Sequence, residues 1–332
     1  MNVLLTTPDY PPKIGGLSTF SENIYNVLCS LDLKVDLLVW NSLGDLQHKS
    51  QNLTDHYKFI INIQSLASTV LKFDAKQINF YHGSENLFYS KNIFKYLLKR
   101  IFKNKIIKYY EKCHTNVFIS NFTFNKLKQY GFVPALDRDL VLHNNIHIIN
   151  KNYFAKKLDN DLVFICVARD VPHKNMQAAI KFSITISKKY QKKIKLYITS
   201  DRFSSIDNVE IIPIKNCSNL ELQDYYKNSH LHLLFSEDHS SRGHFEGFGL
   251  SVLEAAQYGV PSIVYNSGGL NESVHDGMTG WVLQSLDQSY FTSVFKLIQK
   301  EYPIVSKNCF VHTQSSHSLD IYRDHFLRIL NL

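Results

Sequence analysis

Two carboxylates and two glycines occur together in the segment 245–254, FEGFGLSVLE. Glu246 and Glu254 bracket seven residues, and Gly247 and Gly249 lie just inside the first of them. Glycine lets backbone N–H groups approach a ligand closely, and a carboxylate accepts hydrogen bonds from sugar hydroxyls. The segment therefore has the groups needed to hold a phosphate beside a sugar. The alternative is a plain turn followed by a solvated helix.

The neighbouring residues predict that this segment is a strand-to-helix loop. Residues 250–257 have helical spacing, and the apolar run LHLLFS at 231–236 predicts the preceding strand. The N-terminal end of such a helix favours an anion. Glu254 would lie about one turn into the helix, where an acidic side chain can reach a ribose diol.

Two cations follow another predicted strand, in CVARDVPHKN at 166–175. Arg169 and Lys174 precede a predicted helix and could neutralise a diphosphate, Arg by its planar fork and Lys as a point charge. Ordinary surface charge is the alternative. Near the beginning of the chain, PPKIGG places Gly15 and Gly16 between the first strand and the first helix. This loop is either a second anion site or a tight turn.

Other reactive side chains give weaker signals. His82 ends an apolar strand in YHGSE, where a lone histidine is more often structural than catalytic. The five cysteines are scattered and form no C-x-x-C pair, so we expect free thiols in a reducing compartment rather than metal ligands. No D-x-D motif lies in a suitable loop, and we expect neither a metal nor a cofactor.

The elements that position these residues alternate between strands and helices. The strand-like segments are 2–7, 34–40, 78–83, 116–120 and 139–144 in the first half, and 161–168, 193–199, 209–214, 231–236 and 261–266 in the second. Helical spacing occurs at 17–31, with Ser18 or Thr19 as the N-cap, and at 175–189. This alternation predicts parallel sheets covered by helices. Its restart predicts two similar α/β domains joined near 149–160.

Composition supports a folded protein. The chain has 332 residues, 44% of them hydrophobic and 20% charged, which is enough for two packed domains. No apolar run is long enough for a membrane span, and the first residues lack the features of a leader. The formal net charge is +8, and residues 1–150 hold 17 Lys and Arg against 11 Asp and Glu. A basic half can attract an anionic membrane, an anionic substrate or nucleic acid.

The motifs together resemble those of retaining glycosyltransferases of family 4, also called glycosyl transferases group 1. Glu246 to Glu254 is similar to the family's E-x7-E motif, VARDVPHKN to its Arg and Lys diphosphate pair, and PPKIGG to its N-terminal glycine loop. FISNFT at 118–123 and SGGLNESVHDGMTGWVL at 267–283 are similar to two further family segments. The similarity extends over nearly the whole chain and is most specific from 161 to 283.

This resemblance implies an α/β chain with the GT-B fold, in which two facing Rossmann-like domains with parallel sheets enclose an interdomain cleft. Residues 1–150 would bind the acceptor, and residues 151–312 would bind the nucleotide sugar. Residues 313–332 would form a helix that packs back on the first domain. The implied activity is a retaining transfer of a hexose or N-acetylhexosamine from a UDP- or GDP-linked sugar, without metal or cofactor.

The resemblance also implies a role for each matching residue. Arg169 and Lys174 would bind the donor diphosphate, and Glu246 and His82 would lie at the reacting sugar. The other donor-binding positions would be the first glycine loop, the backbone after Glu246, the ribose carboxylate and two residues near the base: Gly15, Gly16, Gly247, Phe248, Gly249, Leu250, Glu254, Ile214 and Lys215.

A basic stretch at 91–112, with eight Lys or Arg and one Glu, bears on the acceptor. One helical face of this stretch is apolar and consists of Phe94, Leu97, Leu98, Ile101 and Phe102. The helix either covers the sheet with a solvated basic side or docks on anionic lipid. We expect a cytoplasmic enzyme at the inner face of the membrane. Its acceptor would be a surface glycan, either a lipid-linked oligosaccharide, an O-antigen or capsule, or the lipopolysaccharide core.

Two other functions stay open at the level of the sequence. A nucleotide-sugar epimerase could use the same fold, and an inactive GT-B domain could act as a scaffold for a partner transferase. The intact set Arg169, Lys174, Glu246 and Glu254 argues against the scaffold, and the E-x7-E motif favours the transferase. Nucleic acid is not an expected partner, because no nucleic-acid motif is present.

Overall fold

The structure is a computed structural model that describes residues 1–53, 56–83, 93–159 and 161–332. The chain divides into two compact units. The N-terminal unit comprises Met1–Asn145, His239–Gly247 and Leu319–Leu332, and the C-terminal unit comprises Ile146–Asp238 and Phe248–Ser318. Each unit therefore contains residues from more than one segment of the chain.

The N-terminal unit is built on a parallel sheet. Its strands are β1 (Asn2–Thr7), β2 (Lys34–Val39), β3 (Phe59–Asn62), β4 (Lys76–Tyr81), β5 (Thr115–Phe118) and β6 (Asp139–Val141). Helices α1 (Gly16–Cys29), α2 (Leu43–Ser50), α3 (Ile93–Lys112) and α4 (Asn121–Gln129) connect them. The strand order is β2-β1-β3-β4-β5-β6, so the direction of winding reverses between β1 and β3.

The C-terminal unit has a second parallel sheet. Its strands are β7 (Asp161–Cys166), β8 (Lys193–Ile198), β9 (Val209–Pro213), β10 (Leu231–Leu234), β11 (Ser262–Tyr265) and β12 (Gly280–Leu283). Its helices are α5 (Met176–Tyr190), α6 (Asn219–Asn228), α7 (Leu250–Ala256), α8 (Leu270–Ser273) and α9 (Gln288–Ser316). The strand order is β12-β11-β10-β7-β8-β9, and the winding reverses between β7 and β10.

The last helix, α10 (Leu319–Ile329), belongs to the N-terminal unit. The ring of Tyr322 lies edge-on to Phe20 of α1, with 5.9 Å between the ring centroids. Its hydroxyl accepts a hydrogen bond of 3.1 Å from the backbone N–H of Asn145. These contacts fix α10 against the first helix of the chain.

The predicted α/β class with two parallel sheets is confirmed. The strands are continuous apolar runs because helices cover both faces of a parallel sheet. Phe59 to Ile61 in β3 and Phe164 to Cys166 in β7 are almost completely buried. No helix in the described part of the chain is both long enough and apolar enough to cross a membrane.

Some local predictions were wrong. Helix α1 begins after Gly15, which is its N-cap, whereas Ser18 is buried inside the helix. The reason is that Gly15 has φ 151°, a conformation that glycine adopts readily. Strand β3 was missed, although it lies at the reversal of the N-terminal sheet. Its sequence, FIIN, is a short apolar run without the alternation that distinguishes a strand from a buried helical segment.

Candidate functional site

The predicted cations and the second glycine loop follow two adjacent strands of the C-terminal sheet in the sequence. Arg169 and Lys174 follow β7, the segment 245–249 follows β10, and the two strands pair in parallel. They are also the strands between which the winding reverses. In open parallel sheets, ligands bind outside the carboxyl ends of the strands at such a reversal. The topology therefore brings Arg169, Lys174 and the beginning of α7 to one edge of the C-terminal sheet.

Arg169 is exposed, and the neighbouring carboxylate does not neutralise it. Asp170 instead pairs with the guanidinium of Arg202 and accepts a hydrogen bond of 2.6 Å from the Ser200 hydroxyl. The hydrogen bond from Arg202 is the main reason that the pKa of Asp170 is lowered. Because Asp170 forms its ion pair with Arg202, the Arg169 guanidinium is available to bind an anion.

Lys174 lies in a short turn, Pro172–Lys174, that ends at Asn175 in the left-handed conformation. Burial raises the pKa of the Cys166 thiol to about 12, and the positive charge of Lys174 opposes this rise. This interaction places the Lys174 ammonium near the carboxyl end of β7. The Lys174 position is therefore at the same edge as Arg169.

Two hydrogen bonds connect the loop after β7 with the loop after β10. The side-chain N–H of Asn175 donates to the Glu237 carboxylate at 2.8 Å. The backbone N–H of Glu237 donates to the carbonyl of His173 at 2.8 Å. The same Asn175 caps α5 by accepting from the backbone N–H of Ala178 at 3.3 Å. Asn175 and Glu237 thus position the cation loop, and no local motif had marked either one.

Glu254, the predicted ribose ligand, lies partly buried in α7. Burial raises the pKa of its carboxyl. The hydroxyl of Tyr226 donates a hydrogen bond of 3.1 Å to Oε2 and opposes that rise. Tyr226 is on α6, far away in the sequence, so periodicity could not have identified it as the partner that orients Glu254.

The two residues predicted near the base lie just after β9. The Ile214 side chain is buried in a cluster with Tyr226 and Ala255. Its backbone N–H donates to the carbonyl of Ile198 at 2.8 Å. Lys215 is exposed and pairs with Asp201 at 2.8 Å. The side chain of Ile214 therefore faces the core, and a ligand at this position would meet its backbone.

Phe248 and Leu250 also direct their side chains inward, with 1% and 9% exposed. Gly249, between them, has φ 90° and is the N-cap of α7. A Cβ at Gly249 would lie 2.7 Å from the side chain of Leu270. These three residues can offer only backbone groups to a ligand. Helix α7 is seven residues long, within one residue of the predicted 250–257.

In the N-terminal unit, Gly15 and Gly16 form the loop after β1, at the reversal of the first sheet. A Cβ built on either glycine would meet no heavy atom within 4 Å. The backbone here faces open space. A ligand could approach the loop amides directly.

His82 follows β4, in a pocket of aromatic rings. The ring of Phe20 lies edge-on to the imidazole with 4.4 Å between centroids, and that of Phe80 lies 6.3 Å away. Burial lowers the pKa of His82 to about 4, against the opposing effect of a hydrogen bond with the Ile63 backbone. The imidazole is therefore neutral at neutral pH.

Gly247 packs against the backbone of the same histidine. A Cβ on Gly247 would lie 2.2 Å from the carbonyl oxygen of His82 and 2.9 Å from the Ile119 side chain. The ring of Phe245 in turn lies next to Gly83 and edge-on to Phe122. These contacts explain why residues 239–247 belong to the N-terminal unit, and they fix the partly buried Glu246 close to His82 in the fold.

The described residues contain no cluster of three or more His, Cys, Asp or Glu side chains that could hold a metal ion.

Part of the chain is similar to known proteins in sequence. Residues 149–301 match the family of glycosyl transferases group 1, which confirms the resemblance for this part of the chain. A poly(glycerol-phosphate) alpha-glucosyltransferase of Bacillus subtilis is 30% identical over 122 residues. That segment is 36% of this chain and 18% of the relative, so the chain spans only a small part of that protein.

Solved structures extend the likeness to the whole fold. Anabaena HepE in complex with UDP and glucose has a TM-score of 0.71 at 13% identity, covering 100% of this chain and 99% of that chain. A sucrose-phosphate synthase of Thermosynechococcus elongatus has a TM-score of 0.76 at 14% identity, covering 99% and 98%. At such low identity these matches show the fold, which is that of the GT-B glycosyltransferases.

Proposed function

We propose that the protein is a glycosyltransferase that moves a hexose or N-acetylhexosamine from a nucleotide-diphosphate sugar to a glycan acceptor. The observation that supports this most directly is the placement of Arg169 and Lys174 beside the loop after β10, at the reversal of the second sheet. This edge lies in the part of the chain that matches glycosyl transferases group 1.

The donor would be held mainly by the C-terminal unit. Arg169 and Lys174 would bind the diphosphate, and Glu254, oriented by Tyr226, would accept hydrogen bonds from the ribose diol. The base would meet the backbone near Ile214 and Lys215. Glu246 would accept from hydroxyls of the transferred sugar, and the backbone from Gly247 to Leu250 would supply the amides.

The loop after β1 and His82, in the N-terminal unit, would supply uncharged groups. The amide of Gly16, in a loop that is open on its ligand side, would contact the distal phosphate. His82 would lie beside the sugar as a neutral imidazole, because its lowered pKa of about 4 keeps it unprotonated at neutral pH. A neutral ring can donate or accept a hydrogen bond without adding charge next to the reacting carbon.

Departure of the nucleoside diphosphate develops negative charge on its oxygens. Arg169 and Lys174 would stabilise that charge, so the transfer would need no divalent metal. We further propose retention of the anomeric configuration, with the donor phosphate accepting the proton of the acceptor hydroxyl. Glu246 and Glu254 would not act as a hydrolytic pair, because they are assigned to sugar and ribose hydroxyls.

For the substrates, we propose a UDP- or GDP-linked donor and a surface-glycan acceptor at the inner face of the membrane. Two named relatives support a nucleotide sugar and a surface polymer: one structure holds UDP and glucose, and one relative is a poly(glycerol-phosphate) alpha-glucosyltransferase. The acceptor would be a lipid-linked oligosaccharide or a related envelope glycan.

Helix α3 supports contact with an anionic membrane. Phe94, Leu97 and Ile101 are 68%, 50% and 71% exposed, so the apolar face expected to cover the sheet is in large part open. Exposed Arg100, Lys105, Lys108 and Lys112 share the helix. Exposed apolar residues can insert into a membrane interface and lysine and arginine attract anionic lipid, although α3 does not separate the two sets onto opposite faces. Lys91 and Asn92, which the sequence included in this stretch, lie outside the described residues.

Sedimentation with phosphatidylglycerol vesicles tests this contact. We expect Leu97→Asp to weaken binding about tenfold. Leu220→Asp is the control, because Leu220 is 74% exposed on a different helix. Equal binding by wild type and both variants would contradict the membrane contact.

The transfer itself is tested by nucleoside-diphosphate release from UDP-, GDP-, ADP- and TDP-sugars in the presence of EDTA. We expect slow release from one donor, lost in Lys174→Ala and Glu246→Ala. Lys193→Ala, an exposed lysine at the opposite end of the same sheet, should keep the wild-type rate. Conversion of the donor to an epimer would identify an epimerase instead, and absence of binding to every donor would favour a scaffold.

A further inference from the structure

The N-terminal unit has a cavity of about 760 Å³ at the amino ends of its strands. Residues just before or at the beginning of β3, β4 and β5 line it, together with the end of α3 and the loop before β4. The Gly15–Gly16 loop and His82 lie at the carboxyl ends of the same sheet. A strand of six residues is about 20 Å long, so the cavity is separate from the proposed transfer site.

Positive charge dominates the lining. Lys58, Lys72, Lys76 and Lys112 contribute four ammonium groups, and Asp74 is the carboxylate among the lining residues. None of these four lysines forms an ion pair with a carboxylate within the described ranges. Like charges around one cavity repel each other, and a bound anion would relieve that repulsion.

Part of the wall of the cavity is polar, buried and fixed by hydrogen bonds. Asn79, which is 1% exposed, donates to the hydroxyl of Ser68 at 3.3 Å and accepts from Asn62 at 2.8 Å. Asn62 also donates to the Gln77 side chain at 3.0 Å. The Cys113 thiol lies 2.9 Å from the carbonyl of Gln77. The volume of the cavity lies within the range of ligand pockets.

His114 reports the electrostatic state of this cavity. The centroid of its ring lies 5.9 Å from the centroid of the Phe59 ring. The ammonium of Lys76 lies 5.7 Å from the centroid of that Phe59 ring. The pKa of His114 is lowered, first by burial and then by the positive charge of Lys76. An anion bound between these groups would weaken the effect of Lys76 on the imidazole.

We propose that this cavity binds a phosphate-bearing ligand with two or more negative charges. Ammonium groups on flexible stems suit phosphate groups as point charges, and the hydroxyl and amide groups of the wall suit the remainder of the ligand. The ligand would be recognised independently of the donor, so this inference does not rest on the proposed transfer. The phosphate could belong to a soluble compound or to a lipid headgroup.

Titration calorimetry of the full chain with sodium tripolyphosphate at low salt tests the proposal. We expect saturable binding that is about tenfold weaker in the double variant Lys72→Gln/Lys76→Gln. Both side chains are exposed, so the fold should survive. Lys296→Gln/Lys300→Gln removes the same charge from exposed positions of α9 and should bind as wild type does. An equal loss in the two double variants, or no saturable binding, would overturn the proposal.

A second measurement locates the ligand. The pKa of His114, followed by NMR, should rise when wild type is saturated with tripolyphosphate and should stay unchanged in the Lys72→Gln/Lys76→Gln variant. An unchanged His114 pKa in saturated wild type would show that the anion binds elsewhere and would overturn the assignment.

Vesicles distinguish the two sources of phosphate. If phosphatidylglycerol vesicles bind the Lys72→Gln/Lys76→Gln variant less than wild type, the natural ligand is a headgroup. If vesicle binding is unchanged while tripolyphosphate binding falls, the natural ligand is a soluble phosphate compound. Either result supports a phosphate site in the cavity, and neither depends on Leu97 or on turnover of a nucleotide sugar.

Discussion

Two glycine-containing loops look alike in the sequence and differ in what they require of glycine. Gly15 and Gly16 face open space, and a Cβ there would meet nothing within 4 Å. Gly247 is enclosed, and a Cβ there would lie 2.2 Å from the His82 carbonyl oxygen. Both loops follow strands at the reversal of a sheet. The first loop can accept a ligand, whereas the second needs glycine for its own packing.

The comparison teaches that a glycine beside a carboxylate is not evidence of ligand contact by itself. Gly247 brings Glu246 next to His82 by allowing two backbones to approach. Positive charge for a diphosphate comes from a third place, the loop after β7. The N-terminal unit therefore contains an open loop and a packed loop, and the C-terminal unit contains a cationic loop.

The largest effect is expected when the packed loop is disturbed. Gly247→Ala should destabilise the protein by about 3 kcal/mol, because the new methyl group overlaps a backbone oxygen that cannot move independently. We expect a thermal midpoint roughly 6 °C lower. Gly16→Ala, the same change in the open loop, is the control. Equal thermal midpoints for both variants would remove the distinction between the loops.

Removal of the cationic group should affect catalysis rather than folding. Arg169→Ala should lower the rate of transfer about 100-fold, because a charge that stabilises the departing diphosphate is lost. Its thermal midpoint should not change, since Arg169 is exposed. Arg323→Ala, at an exposed position of α10, should leave both the rate and the midpoint unchanged. A full rate in Arg169→Ala would exclude this residue from the site.

A smaller effect on turnover is expected from the open loop. Gly16→Ala should reduce donor-dependent turnover about tenfold, because a methyl group hinders an amide donor without removing it. The measurement is initial rate against donor concentration. A rate equal to that of wild type would mean that the open loop is only a turn.

The smallest effect concerns Glu254. Its raised pKa means that the folded protein holds this proton more tightly than the unfolded chain does, so the contribution to stability is present at acidic pH and is lost as pH rises through the folded pKa. The difference in thermal midpoint between Glu254→Gln and wild type should therefore shift by about 1–2 °C in favour of the variant when the pH is raised from 4 to 8. Donor binding should weaken in the variant.

Glu221, whose pKa is shifted in the opposite direction, provides the control for Glu254. Glu221 accepts a hydrogen bond from the backbone N–H of Ser218 at 2.7 Å, and its pKa is lowered. Its contribution is present at neutral pH and is lost as pH falls through the folded pKa. Glu221→Gln should therefore be less stable than wild type at neutral pH. The same sign for both variants would contradict the burial of Glu254.

Much of the fold could be predicted because its strands are long apolar runs between amphipathic helices. β1, β7 and β8 appear in the sequence with nearly their observed limits. β3 and β12 were missed, although β5, β10 and β11, which also have four residues, were predicted. The order of strands within each sheet cannot be predicted from the spacing of apolar residues. That spacing indicates which side chains are buried, and it does not indicate which strands are neighbours.

The sequence by itself determined the two α/β halves, the cationic loop with Arg169 and Lys174, and the likeness to glycosyl transferases group 1. Only the tertiary structure decided that Arg202 forms an ion pair with Asp170 and that Tyr226 donates a hydrogen bond to Glu254. It also decided that Gly247 packs against His82. It also gathered four lysines around one cavity. The physical reason is that local spacing governs helices and strands, whereas charge pairing, burial and close backbone approach depend on residues that folding brings together.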